Sequence, residues 1–264
     1  MNFKTDKMVA EKDGGIGWMT FNNPAKRNAT SLEMWQAAVT ILEDFEADHA
    51  IRVVVIKGAG EKAFVSGADI SEFKEMRQDA VAAAGYSKAA EGARHLLSNM
   101  RKPLIAMIRG YCLGGGLALA MKADMRIASD DSQLGIPAAK LGIAPGFETL
   151  KMLVDLVGPA YANEIMFTGR KLNADEALRI GLVNRVTSID SLETGVREIA
   201  NEICNNAPLS VAGSKVTIRE VLKDADKQNH AAIAAISKAC FDSQDYQEGR
   251  EAFMEKRKPF FKGL

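Results

Sequence analysis

Two kinds of apolar pattern alternate along the chain. Runs of consecutive apolar, often β-branched residues signal buried strands, and apolar residues recurring three and four apart signal amphipathic helices. Ile16–Phe21 (IGWMTF), 52–57 (RVVVIK) and Leu104–Ile108 (LIAMI) are of the first kind, and 125–128 and 133–134 predict shorter strands. Residues 31–49 are of the second kind, with Leu32, Trp35, Val39, Leu42 and Phe45 at helical spacing and Ser31 placed to cap the helix. A further helix is predicted over 80–100. From Thr149 onward the pattern is helical, apart from an extended piece at 182–186. The alternation predicts an α/β core over 1–190 and a helical region over 191–264, with no repeat or low-complexity linker between them.

Composition narrows the function classes. Of the 264 residues, 47% are apolar, enough for a large core, and 34 basic residues balance 34 acidic ones. Neither nucleic acid nor a membrane surface is an expected partner of such a chain. Cys112, Cys204 and Cys240 form no paired spacing, and His49, His95 and His230 share no ligand spacing with them, so neither a disulfide framework nor a metal site is expected. The first fifteen residues, MNFKTDKMVAEKDGG, contain no apolar signal core, and the expected location is cytoplasmic. The most apolar window, 104–121, is interrupted by Arg109 and glycines and reads as strand, loop and helix rather than a membrane span.

Three glycine patterns carry the candidate chemistry. Gly58-Ala59-Gly60-Glu61-Lys62-Ala63 follows a strand and fits a relaxed dinucleotide fingerprint, GxGxxA. The residues that follow, Phe64 to Gly67, are extended and turn-like where the fingerprint needs a helix, so an NAD site is the last-ranked reading. In AFVSGADISEF (63–73), Gly67 allows an unusual backbone angle just before a predicted helix start at Ser71-Glu72. CLGGGLALAMKAD (112–124) repeats this logic, with Gly114, Gly115 and Gly116 leading into a helix predicted over 117–122. Backbone N–H groups at such turns are open to a ligand oxygen, and two that converge form an oxyanion hole. Taken singly, each turn reads first as tight packing. The second run has no acid, base or nucleophile before Lys122.

Six segments in order, NNPAKRNA (22–29), KGAGEKAFVSGADI (57–70), RGYCLGGGLALAMKADMRIA (109–128), LGIPAAKLGIAPG (134–146), FTGRKLNADEALRIGLVNRV (167–186) and EGREAFMEKRKPFF (248–261), resemble the crotonase superfamily, the enoyl-CoA hydratase/isomerase group, over nearly the whole chain. The resemblance implies a ClpP-like spiral of ββα units and C-terminal trimerisation helices, assembled as a trimer or a dimer of trimers. It implies an acyl-CoA thioester as substrate, with coenzyme A part of that substrate and no separate cofactor. It assigns the oxyanion hole to the N–H groups of Ala68 and Gly115. It places Lys26 and Arg27 near the CoA phosphates, and Ser66, Ala68, Asp69 and Ile70 around the adenine and pantetheine. Phe253 and Lys256 would reach a neighbouring subunit's ligand.

The chain departs from the family at two positions. Hydratases of the family carry two glutamates that hold and deprotonate one water; here those positions read Ala118 and Ala138. Water addition needs a proton moved at both ends of the double bond, so the loss of both carboxylates speaks against ordinary hydration. Glu148, in APGFETLKML, is the candidate replacement acid/base for moving a proton along an enolate, as in double-bond isomerisation. Its other reading is an acidic residue that starts the following helix. Tyr86 and His95 are weaker candidates, and Cys112 reads as a packed small residue. The alternative function is an acyl-CoA-binding protein without turnover.

Overall fold

The structure, a computed structural model, describes residues 3–67 and 80–264. Among them ten strands form two sheets: β1 (Met8–Asp13), β2 (Ile16–Phe21), β3 (Val53–Gly58), β4 (Ala63–Val65), β5 (Leu104–Ile108), β6 (Tyr111–Leu113), β7 (Met125–Ser129), β8 (Gln133–Gly135), β9 (Leu172–Asn173) and β10 (Arg185–Thr187). The helices are α1 (Leu32–Ala47), α2 (Ala80–Asn99), α3 (Gly115–Ala120), α4 (Phe147–Thr168), α5 (Ala174–Arg179), α6 (Leu192–Cys204), α7 (Pro208–Val221), α8 (His230–Phe241) and α9 (Gln244–Glu255).

The strands are dealt alternately between the sheets. The larger has the order β1-β2-β3-β5-β7-β10, and the smaller β4-β6-β8-β9. Each strand pair β3–β4, β5–β6 and β7–β8 therefore gives its first member to the larger sheet and its second to the smaller. Pairing within each series is parallel: β3 with β5 and β5 with β7, then β4 with β6 and β6 with β8. A helix leaves β6 directly, and α4 follows β8 after the 3₁₀ turn Pro137–Leu141. This is the expected spiral of ββα units.

Burial on both faces explains the unbroken apolar run of β3. Val54 and Ile56 join the main core with Met34, Ile41 and Phe45 of α1. Val53 and Val55 turn the other way, onto a second core with Leu192, Val196 and Ile199 of α6. A strand covered on both sides has no polar face to show. Ser31 caps α1 as predicted, its hydroxyl accepting from the Met34 N–H at 3.3 Å. The C-terminal helices are tied to the core by Lys215 of α7, whose ammonium lies 2.6 Å from the Asp124 carboxylate and donates to the Lys102 carbonyl at 2.7 Å.

Several short elements depart from the pattern reading. β1, β4, β6 and β9 are not announced by apolar runs. The helix after the glycines begins at Gly115 and ends at Ala120, earlier than the predicted 117–122. The extended piece near 182–186 forms ladder pairs only from Arg185 to Thr187, against β7. The GxGxxA stretch opens no helix: β3 turns at Gly58 into β4.

Candidate active site

The site is built on two backbone turns, and the first is held by Asn28. The chain leaves β2 through the 3₁₀ turn Pro24–Lys26 and passes Arg27 and Asn28, both left-handed at φ 53° and 57°. Asparagine tolerates that region better than most residues. The buried Asn28 side chain accepts from the Asn23 N–H at 2.9 Å and donates to the carbonyls of Ala59 at 2.9 Å and Ala63 at 2.8 Å. One amide thus fastens this loop to the chain on either side of the β3–β4 turn. Beyond β4, the Ser66 N–H donates to the Arg27 carbonyl at 3.2 Å, and the Ser66 hydroxyl to that of Lys26 at 3.4 Å. The Gly67 carbonyl accepts from the Thr30 N–H at 2.8 Å.

The second turn explains its three glycines one by one. Gly114 sits at φ 55°, ψ −118°, a combination open to glycine alone, and its N–H donates to the Gly135 carbonyl at 2.8 Å. A Cβ on Gly116 would lie 1.8 Å from the Val65 carbonyl oxygen, so only glycine lets α3 pack against β4. Gly115 stands between them and faces the first turn: a Cβ there would lie 3.4 Å from the Gly67 Cα, and one on Gly67 would lie 3.8 Å from the Gly115 nitrogen. The two turns therefore meet backbone to backbone, with no side chain of either glycine between them.

The two alanine positions singled out in the sequence are small, apolar and at least partly covered. Ala118 is half-buried on α3, and Ala138 is buried on the 3₁₀ turn after β8. Cys112 is fully buried, and burial pushes its thiol well above the ordinary range, as a packed residue requires. The polar groups lie farther along the same elements. Glu148 is exposed in the first turn of α4. Lys122, half-buried just beyond α3, donates to the Ser98 hydroxyl of α2 at 2.9 Å. Burial pushes the Lys122 ammonium below its ordinary range; the Glu148 charge opposes that fall and the Arg94 charge adds to it. His95 is exposed on α2 beside Asn99.

Of the residues predicted from sequence, the structure brings together Lys26, Arg27 and Ser66, and sets Gly115 against the turn that precedes Ala68. Lys26 and Arg27 are exposed, with Arg27 beside a cavity of ≈ 280 Å³ that Lys62 also lines. Ala68, Asp69 and Ile70 lie outside the described residues. Phe253 and Lys256 are exposed at the end of α9; Phe253 lines a groove of ≈ 1060 Å³ between the C-terminal helices, away from the two turns. Two contributors were not assigned from sequence. Asn28 could have been suspected as an asparagine in a proline-led turn. Lys122 could have been suspected as the one charge between Leu113 and Ala123.

Among the described residues, no three His, Cys, Asp or Glu side chains gather as a metal site would need. The enoyl-CoA hydratase/isomerase family pattern matches residues 11–264. The chain is 38% identical to the short-chain-enoyl-CoA hydratase of Clostridium acetobutylicum over 257 residues, 96% of each chain. It is 35% identical to the carnitinyl-CoA dehydratase of Escherichia coli K12, over 98% of this chain and 99% of that one. An enoyl-CoA hydratase/carnithine racemase from Magnetospirillum magneticum has the same fold in its crystal structure, with a TM-score of 0.91 and 35% identity over 99% of this chain and 97% of that one.

Proposed function

The chain belongs to the enoyl-CoA hydratase/isomerase family, and from that premise we propose that it processes an acyl-CoA thioester through an enolate. The thioester oxygen is received by the N–H groups of Ala68 and Gly115. The observation that supports this is the close approach of the two glycine turns, where a Cβ on Gly115 would lie 3.4 Å from the Gly67 Cα, so that no side chain of either glycine stands between them. Preorganised donors at a developing oxyanion contribute on the order of 3–4 kcal/mol each. Lys26 and Arg27 supply charge for the CoA phosphates, and Ser66, Ala68, Asp69 and Ile70 receive the adenine and pantetheine. Phe253 and Lys256 act across a subunit boundary in a trimer, which would also cover the exposed apolar residues of the C-terminal helices.

The chemistry is proton transfer rather than hydration. A buried water normally needs two to four polar partners, and Ala118 and Ala138 offer none. In our reading the Glu148 carboxylate takes a proton from one carbon of the acyl chain. The electron pair moves to the thioester oxygen as an enolate, and the same proton returns at the carbon two bonds away. The double bond shifts and nothing is consumed. An enolate formed by decarboxylation uses the same oxyanion hole.

The test is to incubate the protein with a panel of enoyl-CoA and malonyl-type thioesters and follow the products by mass spectrometry. The expected product is an isomer or a decarboxylated thioester, lost in Glu148→Gln for the isomerisation. Full isomerase activity in Glu148→Gln would remove Glu148 from the mechanism. Binding of CoA esters with no turnover of any would favour a binding protein, the reading that the missing carboxylates would then support.

A further inference from the structure

Residues 257–264 run back along α9, and one face of that helix holds them. Asp245, Glu248 and Gly249 stand three and four apart and share that face. Asp245 is buried, and its two carboxylate oxygens accept from the Lys262 N–H at 2.7 Å and the Gly263 N–H at 2.8 Å. Glu248, one turn on, accepts from the Phe260 N–H at 2.7 Å. Gly249 lets the Phe261 ring lie against the helix, for a Cβ there would already be in contact at 3.5 Å. From the other side Arg52, just before β3, donates to the Phe261 and Lys262 carbonyls at 3.4 and 3.2 Å. The segment is a strap between α9 and the core.

The strap starts from a residue in an unfavourable conformation. Lys256 ends α9 at φ 56°, ψ 35°, the left-handed position where helices most often carry glycine. A lysine there brings its own Cβ too close to the backbone. The turn is nonetheless closed, the Lys256 N–H donating to the Phe253 carbonyl at 3.3 Å and the Arg257 N–H to the Ala252 carbonyl at 3.0 Å. Arg257 then locks it. Its terminal nitrogens donate to Glu248 at 2.6 and 2.9 Å, and its Nε to Glu255 at 2.6 Å. Lys256 itself is exposed and forms no ion pair among the described residues. One cation is used to fix the turn, and the one beside it is left to point outward from a fixed origin.

We propose that Glu248 is a positioning residue for substrate affinity: through Arg257 and the strap it holds Lys256 in its left-handed turn, aimed at the nucleotide phosphates of a CoA thioester bound by a second copy of this chain. Asp245 anchors the far end of the same strap. Glu248 touches no substrate and takes no part in proton transfer. A glycine would make the turn with less strain but would bring no ammonium, and a lysine on a loose end would bring one without direction. The inference rests on the reading that Phe253 and Lys256 act across a subunit boundary.

The test compares dissociation constants of acetyl-CoA and S-acetylpantetheine, which lacks the nucleotide, by isothermal titration calorimetry on the whole protein. The expected wild-type preference for acetyl-CoA is about tenfold or more, the scale of charge-assisted contacts to phosphate. Glu248→Gln should cut that preference by about threefold or more and leave S-acetylpantetheine binding unchanged. Lys256→Gly should cut it to a similar level while keeping or raising the melting temperature, since glycine suits the turn. Adding Glu248→Gln to Lys256→Gly should then lower the preference no further, with circular dichroism confirming that each variant folds. A Glu248→Gln variant that keeps the full preference or weakens both esters alike, or an effect of the same size in the Lys256→Gly background, overturns the inference alone. Equal binding of the two esters by the wild type overturns the reading of the nucleotide contacts and the inference together, and binding of neither overturns the thioester reading as well.

Discussion

Gly116 of α3 and Val65 of β4 approach so closely that a Cβ on the glycine would lie 1.8 Å from the valine carbonyl oxygen. The atom met is backbone, so no rotamer change relieves the clash. This approach also sets the spacing of the two turns, since Val65 precedes Gly67 by two residues and Gly116 follows Gly115. Gly116→Ala is therefore expected to destabilise the protein by more than about 3 kcal/mol, beyond the usual range of core overpacking. Urea denaturation measures this, and any soluble fraction should have lost thioester turnover. A variant that unfolds at the wild-type midpoint would show that α3 and β4 can part without cost.

Lys215 and Asp124 predict an asymmetric pair of variants. The lysine side chain is 7% exposed and the aspartate 31% exposed. Burial pushes the Lys215 ammonium below its ordinary range, and Asp124 works against that fall. Removing the carboxylate strands a buried cation and also the Leu104 N–H, which donates to Asp124 at 2.7 Å. Asp124→Ala should cost about 3 kcal/mol, toward the low end for a broken buried pair because water reaches this one. Lys215→Met leaves behind a carboxylate that water can solvate, and should cost about 1 kcal/mol or less. Equal losses in chemical denaturation would refute the asymmetry.

What was legible in the sequence follows from how locally each feature is determined. α1 announces itself because its buried positions recur within one helix and its cap lies next to it. β3 and β5 announce themselves because burial on two faces makes them continuously apolar. β4, β6 and β9 are two or three residues long, too short for any period to show. β1 ends in Glu11, Lys12 and Asp13, all exposed, and is a strand only because it pairs with β2. The glycine turns were legible because glycine marks special backbone wherever it stands. Asn28 was not, since its amide partners lie 31 and 35 residues away. The placement of Lys122 was not, because Ser98 reaches it from α2.

Glu248 predicts how the C-terminal tail responds to acid. Its carboxylate accepts from both terminal nitrogens of Arg257, at 2.6 and 2.9 Å, and from the Phe260 N–H at 2.7 Å. The Arg257 guanidinium foremost, and then the Phe260 N–H, hold the carboxyl down at about 2, against an ordinary value of 4.5. A depressed carboxyl stabilises the docked tail fully above its unfolded value and loses that contribution as pH falls. The tail should stay docked at pH 5 and loosen between about pH 4.5 and about pH 2. The Phe260 amide signal in NMR should titrate at the low end of that window and lose this titration in Glu248→Gln. A wild-type midpoint near 4.5 would show that the Arg257 contact does not act in solution.

Restoring carboxylates at the two alanine positions tests what those positions are. The double variant Ala118→Glu, Ala138→Glu should acquire slow hydration of crotonyl-CoA, read by mass spectrometry as a product heavier by one water. Neither single variant should do so, because water addition needs both proton transfers. The two sites differ in their tolerance. Ala138 is 8% exposed, so a carboxylate there loses water and should lower stability by about 1–3 kcal/mol. Ala118 is half-buried, so a carboxylate introduced there keeps part of its water. The Ala118→Glu variant should therefore stay closer to wild type in thermal denaturation than Ala138→Glu. Folded double variant with no hydrated product would mean that these two alanines do not flank the acyl double bond.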